Sequence, residues 1–275
     1  MSNTLTEIIE AIDLPTIERS IRFVQQIAAS DVVLMTFRDP APSYAIEATS
    51  ATAHEDDSLD VVLLRPSAAP QATPSRPGQS SSNRPEKSND PPVFIKYRGV
   101  ELTWRPGCAT LQCDPDQAES LLLAVIEFAH YERELRRTED EIVGAWPEVE
   151  HDKALAFNVT SADLHRDKIV GGSMDRAFQR RIRYARIEPH LYEPSATLPS
   201  SSQKLGVELR EKARIEARLE TVDAQIEVFE HIYEMAAQRM GEYRAAHHEI
   251  ILEWIIIILL AAETALVVAM GFLKP

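Results

Sequence analysis

The sequence predicts an α+β protein: a small mixed β-sheet domain with helices, followed by a long C-terminal coiled-coil helix that continues into one transmembrane helix. Three observations predict it. Short β-branched runs, each closed by turn residues, recur up to Cys113. Apolar residues return at alternating steps of four and three from Ile215 onward. That stripe leads into an almost wholly apolar stretch, Trp254 to Leu273.

Residues 1–65 form an N-terminal α/β part. It opens on an expected amphipathic helix, Thr16 to Ala29, with Pro15 at its first turn and Ile17, Ile21, Phe23, Val24 and Ile27 on a broad apolar side. Asp31 to Phe37 reads as a buried strand closed by Asp39-Pro40-Ala41-Pro42, and Tyr44 to Thr49 and Asp60 to Arg65 as further strands. Residues 66–92 change character: Pro, Ser, Gln, Asn and Thr replace large apolar side chains, too few of which remain to offset the entropy of ordering. A disordered linker or insertion is expected there.

Strands and then a helical part occupy residues 93–200. Val93 to Tyr97 and Val100 to Trp104 flank the hairpin signal Arg98-Gly99, and Ala109 to Cys113 adds a strand. The two sets of strands are expected to pair into one sheet with the linker looped out; two separate pieces are the alternative. Asp114-Pro115-Asp116 starts a helix that runs to Ala145, where Trp146-Pro147 ends it. His151 to Val159 and Ser161 to Val170 read as helices, Gly171-Gly172 as a turn, Ser173 to Ile187 as a basic helix, and Glu193 to Gln203 as a second linker.

Residues 204–253 read as one uninterrupted helix. Its seam is Ile215, Leu219, Val222, Ile226, Phe229, Tyr233, Ala236, Met240, Tyr243, His247, Ile250 and Trp254, a period of 3.5 held over more than five heptads. Acids outnumber bases between the seam positions, so identical parallel copies repel, and an antiparallel helix of the same chain competes with a homo-oligomer as the facing partner. Residues 254–273 are twenty residues broken only by Glu263 and Thr264, and at about 1.5 Å per residue they match a hydrocarbon core of roughly 30 Å. Trp254 is placed as an interfacial aromatic and Lys274 can snorkel at the far end, while Arg239 and Arg244 favour the bulk of the chain on the cytoplasmic side. Glu263 falls near the midplane, where a carboxylate is expected to be protonated or to face another chain. Met1 to Ser20 carries four acids against Arg19, unlike an Arg-rich presequence, so a tail-anchored, single-pass protein of a bacterial inner membrane is expected, or of the mitochondrial inner membrane in a eukaryote.

The string Leu252-Glu253-Trp254-Ile255-Ile256-Ile257-Ile258-Leu259-Leu260-Ala261-Ala262-Glu263, with the run Leu219 to His248 before it, resembles the C-terminal end of the "required for meiotic nuclear division" family, also called YagE-like. The likeness covers residues 215–270 and extends to Leu121–Arg137, with Asp31–Phe37 as the candidate for the family's N-terminal strand. The resemblance implies an inner-membrane-anchored protein with a soluble α/β part and an oligomeric tendency, and it brings no catalytic residues with it. Through the family's mitochondrial members it implies support of organellar translation.

The formal charge of -14 argues against a general nucleic-acid surface, which would be basic. Cys108 and Cys113 lack the second pair or nearby histidine that a metal site needs, and two cysteines make no disulfide framework. His247-His248 reads as structural, Gly171-Gly172 lacks the lysine and glycine spacing of a phosphate loop, and Asn158-Val159-Thr160 matches a glycosylation sequon by chance. No nucleophile elbow, zincin helix or kinase set occurs, so no catalytic, cofactor or metal residue is assigned. Arg176, Arg180 and Arg183 share a helix face, flanked by Arg181 and Arg186 with Tyr184 interleaved; they can grip RNA or anionic headgroups, or pair with the acid-rich coiled coil or the Glu132–Glu141 stretch. The function expected is that of a membrane-anchored, non-enzymatic structural or interaction protein. Its partners are the lipid bilayer and either a homo-oligomer or a helical partner protein, assembled through the coiled coil and the span. The alternative is a membrane tether for RNA or the ribosome through Arg176–Arg186.

Overall fold

A computed structural model describes residues 17–48, 57–64 and 91–272, with side chains up to Leu266 apart from that of Leu164. The disordered segment expected over residues 66–92 lies, up to residue 90, outside the described residues, as do Pro15 and Leu273.

Among the described residues seven strands make one mixed sheet: β1 Ile17–Val24, β2 Val33–Phe37, β3 Ser43–Glu47, β4 Ser58–Leu64, β5 Val93–Tyr97, β6 Val100–Arg105 and β7 Cys108–Gln112, in the order β2-β3-β1-β4-β7-β6-β5. The helix expected over Thr16–Ala29 is therefore corrected to a central strand. Ile21 and Phe23 are buried while Arg22 and Val24 are half-buried, a two-residue alternation, and β1 pairs with β3 on one side and β4 on the other. The N-terminal strands join the later ones through a parallel pair, Asp60↔Cys108 to Leu64↔Gln112, and every other pairing is antiparallel. One sheet thus includes both sets. In the β5–β6 hairpin Arg98 and Gly99 have φ of 45° and 82°, the doubly left-handed turn that matches the twist of its strands.

Four helices follow: α1 Pro115–Asp152, α2 Asp167–Tyr192, α3 Ser200–Lys212 and α4 Ile215–Phe272. The stop expected at Trp146-Pro147 is overridden. Pro147 deprives the Val143 carbonyl of its helical donor, but Val143 is 67% exposed on the water side while Ala145 and Val149 are buried. The turn expected at Gly171-Gly172 is likewise helix: Val170 and Ser173 on either side are 1% exposed, and the Ser173 hydroxyl donates to Glu148 at 2.7 Å. That burial outweighs the ~1 kcal/mol each glycine costs a helix. Where helices were expected over His151–Val159 and Ser161–Val170, 3-10 turns occupy Lys153–Ala156 and Ser161–Arg166, while His151–Asp152 ends α1 and Asp167–Val170 is the first turn of α2. The linker expected over Glu193–Gln203 is tied down, with Leu198 and Ser202 buried, and from Ser200 it is already α3.

The long helix is not continuous. α3 ends at Lys212, Arg214 takes a left-handed φ of 53° with its N–H bonded to the Glu211 carbonyl at 3.0 Å, and α4 restarts at Ile215. Leu209 and Ile215 are both fully buried, so the chain turns here to place each in its own packing.

Two compact units divide the chain: Met1–Glu139 with Arg183–Thr221, and Asp140–Ile182 with Val222–Pro275. They cut across the serial segments read from the sequence, because α1, α2 and α4 each contribute to both. The core of the first unit lies between the sheet (Ile21, Leu59, Val61, Leu102, Leu111) and the first half of α1, where Phe128 meets Trp104 edge-on at 5.2 Å. The second unit is helical, with Trp146 of α1 edge-on to Phe229 of α4 at 4.8 Å.

Among the described residues no helix is long and apolar enough to cross a membrane. The span expected over residues 254–273 is thus not shown.

Candidate functional site

The seam divides into two stretches of opposite character. Ile215, Leu219, Val222, Ile226, Phe229, Tyr233 and Met240 are each no more than 2% exposed within a single chain. The stripe read as an interface is therefore occupied from inside the chain, the intramolecular option. Tyr243 is half-buried, and from Arg244 to Leu266 every residue is exposed. Ile255 to Leu260 are six consecutive apolar residues, each 47–63% exposed; steps of about 100° carry them round the whole helix. Trp254 is 61% exposed and Glu263 is also exposed on this stretch.

The arginine face is mostly engaged. Arg176 pairs with Glu148, and Arg181 pairs with Asp223 and, at 2.9 Å, with Glu230. Arg186 donates to the Pro40 carbonyl at 3.0 Å, while Arg180 and Arg183 are half-buried. An excess of internal carboxylates has drawn in the cations that an RNA would need.

Sequence reasoning missed a buried polar network in the first unit. Glu127 of α1 and Arg210 of α3, each 5% exposed in its side chain, approach to 3.6 Å. Arg210 also donates to the carbonyls of His190 at 2.7 Å and Gly206 at 2.9 Å, and the Ser195 N–H donates to Glu127 at 3.0 Å. Burial pushes the Glu127 carboxyl above the usual range against the pull of Arg210, and pushes the Arg210 guanidinium below its ordinary value. The His190 ring stacks on Tyr131 at 4.4 Å and lies 3.6 Å from Asp39. His130 stacks on Phe37 at 3.8 Å with Nε2 3.4 Å from the Asp39 carbonyl, and its Nδ1 is buried without a hydrogen-bond partner among the described residues. Burial, with Arg133 nearby, lowers its pKa from 6.5 to about 3, so the imidazole is neutral. Glu127 and His130 inside the apolar run Leu121–Ala129 and its edge were a visible signal, since such residues are buried only with partners.

A second constellation lies where α3 gives way to α4. Arg218 donates to Glu139 at 2.7 and 2.8 Å and to Glu132 at 3.0 Å; burial alone would depress its pKa, and these bonds hold it above the ordinary value. It borders an open groove of about 540 Å³ whose walls include Trp104, Arg136, Glu139, Lys212 and Arg214. Among the described residues no serine, cysteine or histidine lines that groove. Cys108 is exposed and Cys113 buried, and among the described residues no cluster of His, Cys, Asp or Glu could hold a metal ion.

No family model matches the chain, and no curated protein matches it.

Proposed function

We propose that this chain is a membrane-anchored, non-enzymatic interaction protein, held in a bilayer by the apolar end of α4, with its folded units presented beside the membrane. The observation that carries the reading is the ring of exposed Ile and Leu from Ile255 to Leu260. Each such side chain left in water forgoes about 1.5–3 kcal/mol, so a helix apolar on every side requires an apolar surround that the described residues do not supply. In sequence the apolar run goes on through Leu273, which brings it to roughly 30 Å. Trp254 at the near end suits an interface, and the likeness of Leu252–Glu263 to the meiotic nuclear division family supports the same reading.

The internal burial of the seam shifts the assembly proposal from the coiled coil to the apolar end and to the surfaces of the two units. The RNA-tether alternative loses support, because Arg176, Arg181 and Arg186 already have internal partners. Alkaline carbonate extraction tests the anchor. The full chain is expected to stay in the pellet, and a chain stopped after Glu249 to pass to the supernatant with its folded units intact. A full chain released by carbonate removes the proposal.

A further inference from the structure

Beyond Met240 the seam of α4 is no longer covered by its own unit, and that end of the unit has a surface the anchor does not use. We propose that the connection between α1 and α2, residues 153–166, together with the first turn of α2, is a second membrane contact that rests on the headgroups of an anionic bilayer beside α4. This rests on the reading of α4 as the anchor.

Contacts within the unit fix where the connection lies. α2 runs antiparallel to α4: Arg181 pairs with Asp223 and Glu230, and at the start of α2 Asp167 accepts from Arg244 at 2.6 Å. α1 ends at Asp152, which is tied to Arg166. The connection is therefore level with the part of α4 just beyond Met240, where burial of the seam stops. Ten residues separate Arg244 from Trp254, a rise of about 15 Å. Headgroups fill ~5–8 Å on each side of the core, and a single span commonly tilts by about 20°. α2 runs away from the apolar end of α4 from Asp167 onward, so the residues ahead of Asp167 are left with about 7–10 Å to bridge.

The side chains here suit such a surface. Phe157, at 76%, is the most exposed large apolar residue described, and Ile169 is 52% exposed. Lys153, His165 and Lys168 are also exposed. The acids among them are engaged: Asp152 by Arg166, Asp167 by Arg244, and Asp163 by the N–H and hydroxyl of Thr160 at 2.9 and 2.6 Å. In a chain of formal charge -14 this end turns lysines and an aromatic outward, the combination that holds an interfacial segment to anionic lipid. Glu249 and Glu253 on α4 carry the opposite charge, so the connection, not α4, supplies the attraction.

The test uses the full chain carrying Cys108→Ser and Phe157→Cys, labelled at residue 157 with an environment-sensitive nitrobenzoxadiazole and reconstituted into vesicles. In vesicles of phosphatidylcholine with phosphatidylglycerol the emission is expected to shift to the blue and rise several-fold. In phosphatidylcholine alone, or with Lys153→Glu and Lys168→Glu added, it should remain that of a label in water. A control label at Val143→Cys should not respond to lipid composition. A chain that floats with the vesicles while residue 157 behaves like residue 143 overturns the contact and leaves the anchor standing. A chain that does not float overturns both.

Discussion

Replacing Arg210 with methionine is expected to destabilise the fold by about 3–5 kcal/mol, because it strands the Glu127 carboxylate in a site where both side chains are 5% exposed. The Ser195 N–H remains as a donor to Glu127, and one backbone bond does not replace a guanidinium. The variant also frees the carbonyls of His190 and Gly206, which Arg210 holds at 2.7 and 2.9 Å, adding to the loss. Protonating Glu127 removes the stranded charge, so the deficit should shrink in acid. Glu127→Leu combined with Arg210→Met should recover much of the loss, since an apolar pair of similar volume needs no counter-charge. Denaturant titrations of the parent, the single variant and the double variant measure this. A double variant no more stable than the single one would show that the pair is not the unit that matters.

Lowering the pH from 6.5 to 4 is expected to remove stability through His130. Burial lowers its folded pKa to about 3 from the ordinary 6.5; Arg133, Arg137 and His190 act in the same direction, and the bond to the Asp39 carbonyl opposes them. Between these values the unfolded chain binds a proton that the folded chain does not, so stability rises with pH across that window. The contribution is complete above the unfolded pKa and is lost as the pH falls toward the folded one. The whole gap corresponds to roughly 4–5 kcal/mol. His130→Asn removes the titrating ring. At neutral pH that variant should be the less stable, having lost the stack on Phe37 at 3.8 Å, yet its stability should fall less steeply below pH 6.5. Parallel curves for the two chains would contradict the assignment.

The strands after β1 were legible where alternation and turn residues agree, as in Val93–Arg105 around Arg98-Gly99, but Asp31–Phe37, read as buried, is the edge strand β2 with Val33 40% exposed and only Phe37 buried. β1 was not, because Ile17, Ile21 and Val24 also fall at helical spacing, and only the pairing with β3 and β4 decides between the two periods. The breakers Pro147 and Gly171-Gly172 misled for the opposite reason: local signals gave way to Ala145, Val149, Val170 and Ser173, whose burial the sequence does not announce. The break at Arg214 carries none of the usual marks, since the left-handed position that is most often glycine is arginine here. The seam was readable as a stripe from Ile215 to Met240, whereas its partners in α1 and α2 come from distant parts of the chain. The Glu127–Arg210 pair hid for the same reason: one member stands out in an apolar run, and the other lies 83 residues on, in a stretch read as part of a different helix.

The depth of α4 in a bilayer tests the central claim most directly. A nitroxide at Leu260→Cys, in the full chain with Cys108→Ser, reports it after reconstitution into vesicles, because oxygen concentrates in hydrocarbon and a water-soluble nickel complex is excluded from it. The anchor predicts strong relaxation by oxygen and little by nickel at residue 260, with the order reversed for a label at Arg244. Relaxation by nickel at residue 260 as strong as at residue 244 would place this helix in water and contradict the account.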